Sequence, residues 1–110
     1  MRIRFETQLI AGTRWDDEAK TFVSHAPALN LYSQGPTETE AARAIESAVK
    51  LYLITAYEAG VLERILKRRG FSPPGGTSAI VSPKEYIRVL EERHFDNIID
   101  VPASVDLAAR

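Results

Sequence analysis

Between Pro27 and Leu53 the chain reads PALNLYSQGPTETEAARAIESAVKLYL. This is a short apolar run, a Gly-Pro break and a capped amphipathic helix, and it fixes how the rest can be arranged. Gly35-Pro36 stops the preceding strand, because proline has no amide to continue a ladder. Thr37 is a good N-cap and Glu40 stands three residues on, the spacing of a capping box. At helical period, Ala41, Ala42, Ile45, Ala48, Val49, Tyr52, Leu53 and Ala56 share one stripe, with Arg43, Glu46, Ser47, Lys50 and Glu58 opposite. A helix with one such stripe must cover an apolar surface made by another part of the chain.

The residues before it supply that surface. From Arg2 to Ala11, Ile3, Phe5, Thr7, Leu9 and Ala11 alternate with Arg2, Arg4, Glu6 and Gln8, the period of a half-buried strand. Gly12 is read as the start of a polar connection from Thr13 to Lys20, and TFVSHA (Thr21 to Ala26) as the returning strand. Pro27 interrupts it, and Leu29 to Ser33 makes a third strand. Three strands so close together imply an antiparallel meander covered by the helix, a two-layer α+β sandwich.

Leu51 and Ile54 fall off the helix stripe and need a cover. Two covers are open: the short apolar face of Val61, Leu62, Ile65 and Leu66, or a second protomer. Gly60 separates the two helical segments and Gly70 ends the second as a C′ residue. Residues 1–70 are thus read as the principal domain and residues 71–82, rich in Pro, Gly and Ser, as a linker. Residues 83–110 form a helix and a strand that pack on the same domain or on a neighbouring protomer. The helix is capped by Ser82 with Pro83 at N1 and Glu85 at N3, carries Tyr86, Val89 and Leu90 on its apolar face, and ends near His94. In the strand, Ile99, Val101, Ala103, Val105 and Leu107 alternate with Asp100, Pro102, Ser104 and Asp106. Pro102 places that strand at a sheet edge.

At 110 residues with 45% apolar content, the chain is sized for one domain with a real core. Cysteine is missing, which excludes disulfides, thiolate metal sites and a cysteine nucleophile, and suits a cytoplasmic location. The alternating N-terminal segment does not read as a signal peptide, and no apolar run reaches the roughly 20 residues of a membrane span. Lys67, Arg68 and Arg69 are too short a run for a nucleic-acid footprint and suit a helix C-terminus. Neither a ribbon-helix-helix nor a helix-turn-helix arrangement is recognisable, which argues against DNA binding.

No catalytic constellation stands out. Asp16, Asp17 and Glu18 read as a polar loop tip, while Glu6 lies on the wet face of the first strand. His25 and His94 lack ligand-spaced partners, and Ser24, Ser33 and Ser47 lack a nucleophile elbow. No catalytic residue, metal site or cofactor is therefore expected, and the chain is read as a non-enzyme.

Pro27-Ala28-Leu29, then Tyr32-Ser33-Gln34-Gly35, Thr37, Glu40-Ala41 and Ala44-Ile45 resemble the HicB antitoxin family. Its members carry P-x-L-x-x-x-S-x-G-x-T-x-x-E-A before an alanine-rich helix. The resemblance covers roughly residues 1–70. It implies a partial RNase H-like β-β-β-α-β fold without a nuclease centre, in which Pro27, Gly35, Thr37, Glu40 and Ala41 are architectural. It also implies a partner, a HicA-like RNA-cleaving toxin where one is encoded nearby, whose active surface the antitoxin covers. Family members often add a C-terminal DNA-binding module, and the tail here departs from both common types. On this reading the chain is a homo-oligomer. Trp15, Asp16, Asp17 and Glu18 would meet a basic toxin surface, Leu51 and Ile54 a covering partner, and Val101 would mark a strand that extends a sheet. The alternatives are a metal-dependent RNase H-like nuclease, needing Glu6 to converge with Asp16 or Asp100, and a promoter-binding regulator.

Overall fold

The computed structural model describes residues 2–68, 79–80, 83–95 and 97–108. Strand β1 (Arg2–Asp16) is followed by β2 (Thr21–Ala26) and β3 (Leu31–Gly35). Helix α1 (Glu38–Glu58) and the shorter α2 (Leu62–Arg68) come next. The chain continues through a two-residue strand β4 (Ala79–Ile80), helix α3 (Pro83–Glu92) and strand β5 (Asn97–Ala108). β5 runs antiparallel to β1 from Arg2↔Ala108 to Thr13↔Asn97. On the other edge of β1, β2 pairs from Gly12↔His25 to Asp16↔Thr21, and β4 makes a parallel bridge at Thr7 and Gln8. The main sheet is thus four antiparallel strands in the order β3-β2-β1-β5, and the class is α+β.

Alternation along β1 decides which face α1 covers. Leu9, Ala11 and Thr13 are buried, and Leu9 and Ala11 join Ala26, Leu29 and Val101 in one core with Ile45, Val49, Leu53 and Ala56 of α1. Burying Ile45, Val49 and Leu53 is worth about 1.5–3 kcal/mol each, which fixes the helix to the sheet. The expected stripe is the buried one, with Ala48 and Tyr52 packed at its margin.

Local chemistry sets the helix ends. Thr37 Oγ1 accepts from the Glu40 amide at 3.1 Å. Replacing Thr37 with alanine should cost about 1 kcal/mol. Thermal unfolding followed by circular dichroism would show this as a Tm lowered by roughly 4–8 °C. At the other end the Gly60 amide donates to Tyr57 O and the Val61 amide to Ala56 O, with Gly60 at φ 76°, a Schellman stop. α3 stops the same way: His94 donates to Glu91 O and Phe95 to Leu90 O, and His94 takes the left-handed position at φ 62°.

Three boundaries differ from expectation. β1 does not end at Ala11 but continues through Gly12 to Asp16. A Cβ on Gly12 would stand 2.8 Å from Phe95 Cβ and 3.0 Å from Leu90 Cδ2, so glycine here admits a close neighbour rather than ending the strand. Side chains alternate along a strand, so Leu90 and Phe95 meet the sheet on the face opposite α1. The two expected layers become three at this corner, with the α3 segment packed on its own domain. The third strand begins at Leu31, not Leu29, because residues 27–30 form a turn in which Leu29 donates to Ala26 O and Asn30 sits at φ 54°. Within the expected linker, Ala79 and Ile80 pair with β1. The rest of that segment, with Gly70 and the Ser82 cap, lies outside the described residues.

Candidate functional site

The tip of the β1–β2 hairpin gathers four of the expected partner residues. Asp16 Oδ1 accepts from the Glu18 amide at 3.0 Å and the Ala19 amide at 3.3 Å, which shapes the turn. Asp17 pairs with Lys20 Nζ at 2.9 Å, with both groups well exposed. Such a pair contributes little to stability and is screened by salt. Glu18 is exposed, and Trp15 is 45% exposed with its ring edge-to-face against Phe22 at 5.1 Å. The tip therefore presents an anchored aromatic beside Glu18, while Asp16 is occupied by its own turn.

The remaining candidates separate. Leu51 is 65% exposed on the outer side of α1, whereas Ile54 is half-buried and packed against the core. Val101 is 2% exposed, so its side chain belongs to the core and not to a partner surface. Its strand does extend a sheet, by pairing with β1 of the same chain, and β5 has the edge position that Pro102 requires. Near the start of α1, Glu38 receives hydrogen bonds from Thr13 Oγ1 at 3.4 Å and from Asn97 Nδ2, tying β1, β5 and the helix together.

The acids needed for a nuclease are spread along the sheet. Glu6 and Asp16 lie ten residues apart on one extended strand, about 33 Å at 3.3 Å per residue. Asp100 stands in register with Ile10, about 13 Å along the strand from Glu6 and about 20 Å from Asp16. One ion draws its oxygen ligands to about 2–2.6 Å, so these three do not converge. Among the described residues no group of three His, Asp or Glu is placed to hold a metal.

Sequence reasoning missed a cluster on the sheet face opposite α1. His25 is 1% exposed, in register with Gly12 on one side and Tyr32 on the other. Tyr32 is 54% exposed and stacks on the imidazole at 3.9 Å, with the rings 13° from parallel. The Phe95 ring lies 5.7 Å away and carries the Arg14 guanidinium 5.3 Å above its centre. Arg93 donates to the Tyr32 hydroxyl. His25 Nδ1 is 3.0 Å from Leu31 O, and a carbonyl can only accept, so Nδ1 carries the proton of the neutral ring. Loss of water on burial lowers the His25 pKa below its ordinary 6.5; the Leu31 hydrogen bond opposes this and the charge of Arg93 adds to it. The unfolded chain then binds the proton more readily than the folded one. The resulting stability is fully present above about pH 6.5 and is lost as pH falls toward the folded-state value. The signal available in the sequence was His25 in a strand, which period two alone cannot distinguish from a solvent-facing residue.

No described helix is long and apolar enough to cross a membrane. No family model, curated protein or solved structure matches this chain.

Proposed function

We propose that this chain is a non-catalytic protein-binding domain of the HicB antitoxin kind, or an orphan relative, which neutralises a HicA-type RNA-cleaving toxin by covering its active surface. The observation that carries the reading is the junction at Gly35. There the β3 strand, the Thr37 cap and the first turn of α1 meet so closely that a Cβ would stand 2.7 Å from the Ala41 amide nitrogen. The residues of the motif, Pro27, Gly35, Thr37, Glu40 and Ala41, all lie at this strand–helix corner or its preceding turn. The run β1-β2-β3-α1, with β5 returning beside β1 after α2, β4 and α3, supports a partial RNase H-like sandwich as part of the same proposal. So do a cytoplasmic location and homo-oligomerisation, for which Leu51 offers an exposed aliphatic on α1.

The toxin-facing surface in this reading is the β1–β2 tip, where exposed Trp15 and Glu18 would meet a basic, RNA-binding face. Where a HicA-like toxin is encoded next to this chain, co-expression with that neighbour should give a stable complex. Trp15→Ala should weaken it by roughly 2 kcal/mol, about thirtyfold, as expected for an aromatic anchor. If folded protein forms no complex with that neighbour in a pull-down, and does not relieve its toxicity, the antitoxin reading fails.

A further inference from the structure

The cluster around His25 does not take part in the proposed toxin contact, and its arrangement has a consequence of its own. We infer that His25 triggers an acid-sensitive latch: when its ring takes a second proton, the end of α3 lifts from the sheet and uncovers the face formed by Gly12, His25 and Tyr32.

The geometry leaves protonation one outcome. Nδ1–H is already committed to Leu31 O, so the incoming proton must go to Nε2 of a ring that is almost wholly enclosed. The groups facing it are cationic or neutral. Arg14 comes from β1, lying over Phe95, and its Nε is buried without a hydrogen-bond partner among the described residues. Arg93 comes from the end of α3 and is held on Tyr32, with exposed His94 beside it. Tyr32 faces it from β3, and Thr21 and Val23 are its uncharged neighbours on β2. On β5, Ile98 stands opposite Gly12, and the nearest acid of that parity, exposed Asp100, lies across the width of β1. Glu91 and Glu92 point into solvent at the end of α3. The Tyr32 ring face attracts an imidazolium, while the Tyr32 hydroxyl holds the cationic Arg93 nearby, and no carboxylate described here reaches the ring. An imidazolium in this place has the Arg93 guanidinium opposing it, a second guanidinium, Arg14, on the Phe95 ring, and almost no exposure to solvent.

The least costly relief is to remove the lid. Among the described residues of the lid, Leu90 and Phe95 are the buried side chains, seated at Gly12 on the face opposite α1, and half-buried Tyr86 packs against the core that α1 shares. β5 can stay on β1 when α3 lifts, because its pairing begins at Asn97. One proton is taken up on opening, so the open fraction rises at most tenfold for each pH unit between the ordinary histidine value of 6.5 and the lowered folded-state value, and levels off below it.

Backbone hydrogen exchange of the full chain tests this, comparing residues 83–95 with residues 41–56 between about pH 7.5 and pH 5 after correction for intrinsic exchange. α3 should lose protection, by no more than about thirtyfold for one proton between pH 6.5 and pH 5, while α1 keeps its own. His25→Gln, which keeps a neutral donor near Leu31 O, should abolish that loss. Equal protection of α3 at both pH values, or an unchanged loss in His25→Gln, would overturn the latch. If that variant does not fold, the wild-type His25 imidazole resonances decide it. Titration below the ordinary histidine value, in step with the α3 amides, supports the latch. Titration at the ordinary value with α3 still protected refutes it.

Discussion

Replacing Gly35 with alanine should cost about 3 kcal/mol, the upper part of the range for overpacking a buried site. The added methyl would lie 2.7 Å from Ala41 N, 2.8 Å from Glu40 C and 3.0 Å from Glu40 Cβ. Two of these are backbone atoms of the first helical turn, so no flexible side chain can swing aside. The helix itself must lift. Lifting disturbs the Ala41 N–H to Thr37 O bond at 2.9 Å and the Thr21 hydroxyl bond to Gly35 O, also 2.9 Å. Urea unfolding should show a midpoint lowered by roughly 1–3 M at an ordinary slope for this size. The exposed neighbour Gln34 serves as control, with Gln34→Ala expected within about 0.5 kcal/mol of wild type. A Gly35→Ala loss as small as that would mean that α1 pivots freely on the sheet, and the close junction would lose its structural meaning.

The second large effect belongs to the opposite face. Phe95→Ala should destabilise by about 3–4 kcal/mol, combining lost transfer energy with a cavity over Gly12. Phe95 is 5% exposed, rests on the Gly12 backbone, borders the His25 ring and carries Arg14. Its removal admits water to His25 in the folded state, so the imidazole pKa should return toward its ordinary value. Stability measured by chemical denaturation at several pH values then shows two changes. The variant is weaker than wild type at neutral pH, and its additional loss between about pH 6.5 and pH 5 is smaller. A uniform offset with the same pH slope would show that Phe95 does not shield His25.

These two sites mark what the sequence could and could not reveal. The α1 stripe, the Thr37 cap and the limits of β2 were legible because each depends on residues within a few positions of one another. Gly35 was legible as a turn, though its contact with the helix backbone was not. Gly12 misled because glycine after an alternating run looks like a terminator. Its actual reason is Phe95, more than eighty positions later, and no local pattern connects the two. The burial of His25 was not legible for the same cause: strand alternation gives two faces without saying that the second is covered. Leu51 and Ile54 formed a pair by helical angle alone, yet only Leu51 remains uncovered, because the packing of α1 against the rest of the core takes in Ile54. Val101 was read as marking a strand that extends a sheet, and its strand does so by pairing with β1 of the same chain.

The pairing of β1 with β5 also shapes how the chain reaches this state. The central strand of the sheet is the first element in sequence, and along one edge its partner is the last, with Arg2 opposite Ala108. Closing so long a loop is entropically slow compared with forming α1 or the β1–β2 hairpin, and topologies dominated by distant pairings fold slowly. Until β5 arrives, β1 carries an open edge of up to twelve residues, a template on which a strand from another molecule can add. Refolding yield should therefore fall with protein concentration more steeply than the size of the domain suggests. The step that rescues a molecule from that competition is the arrival of its own β5.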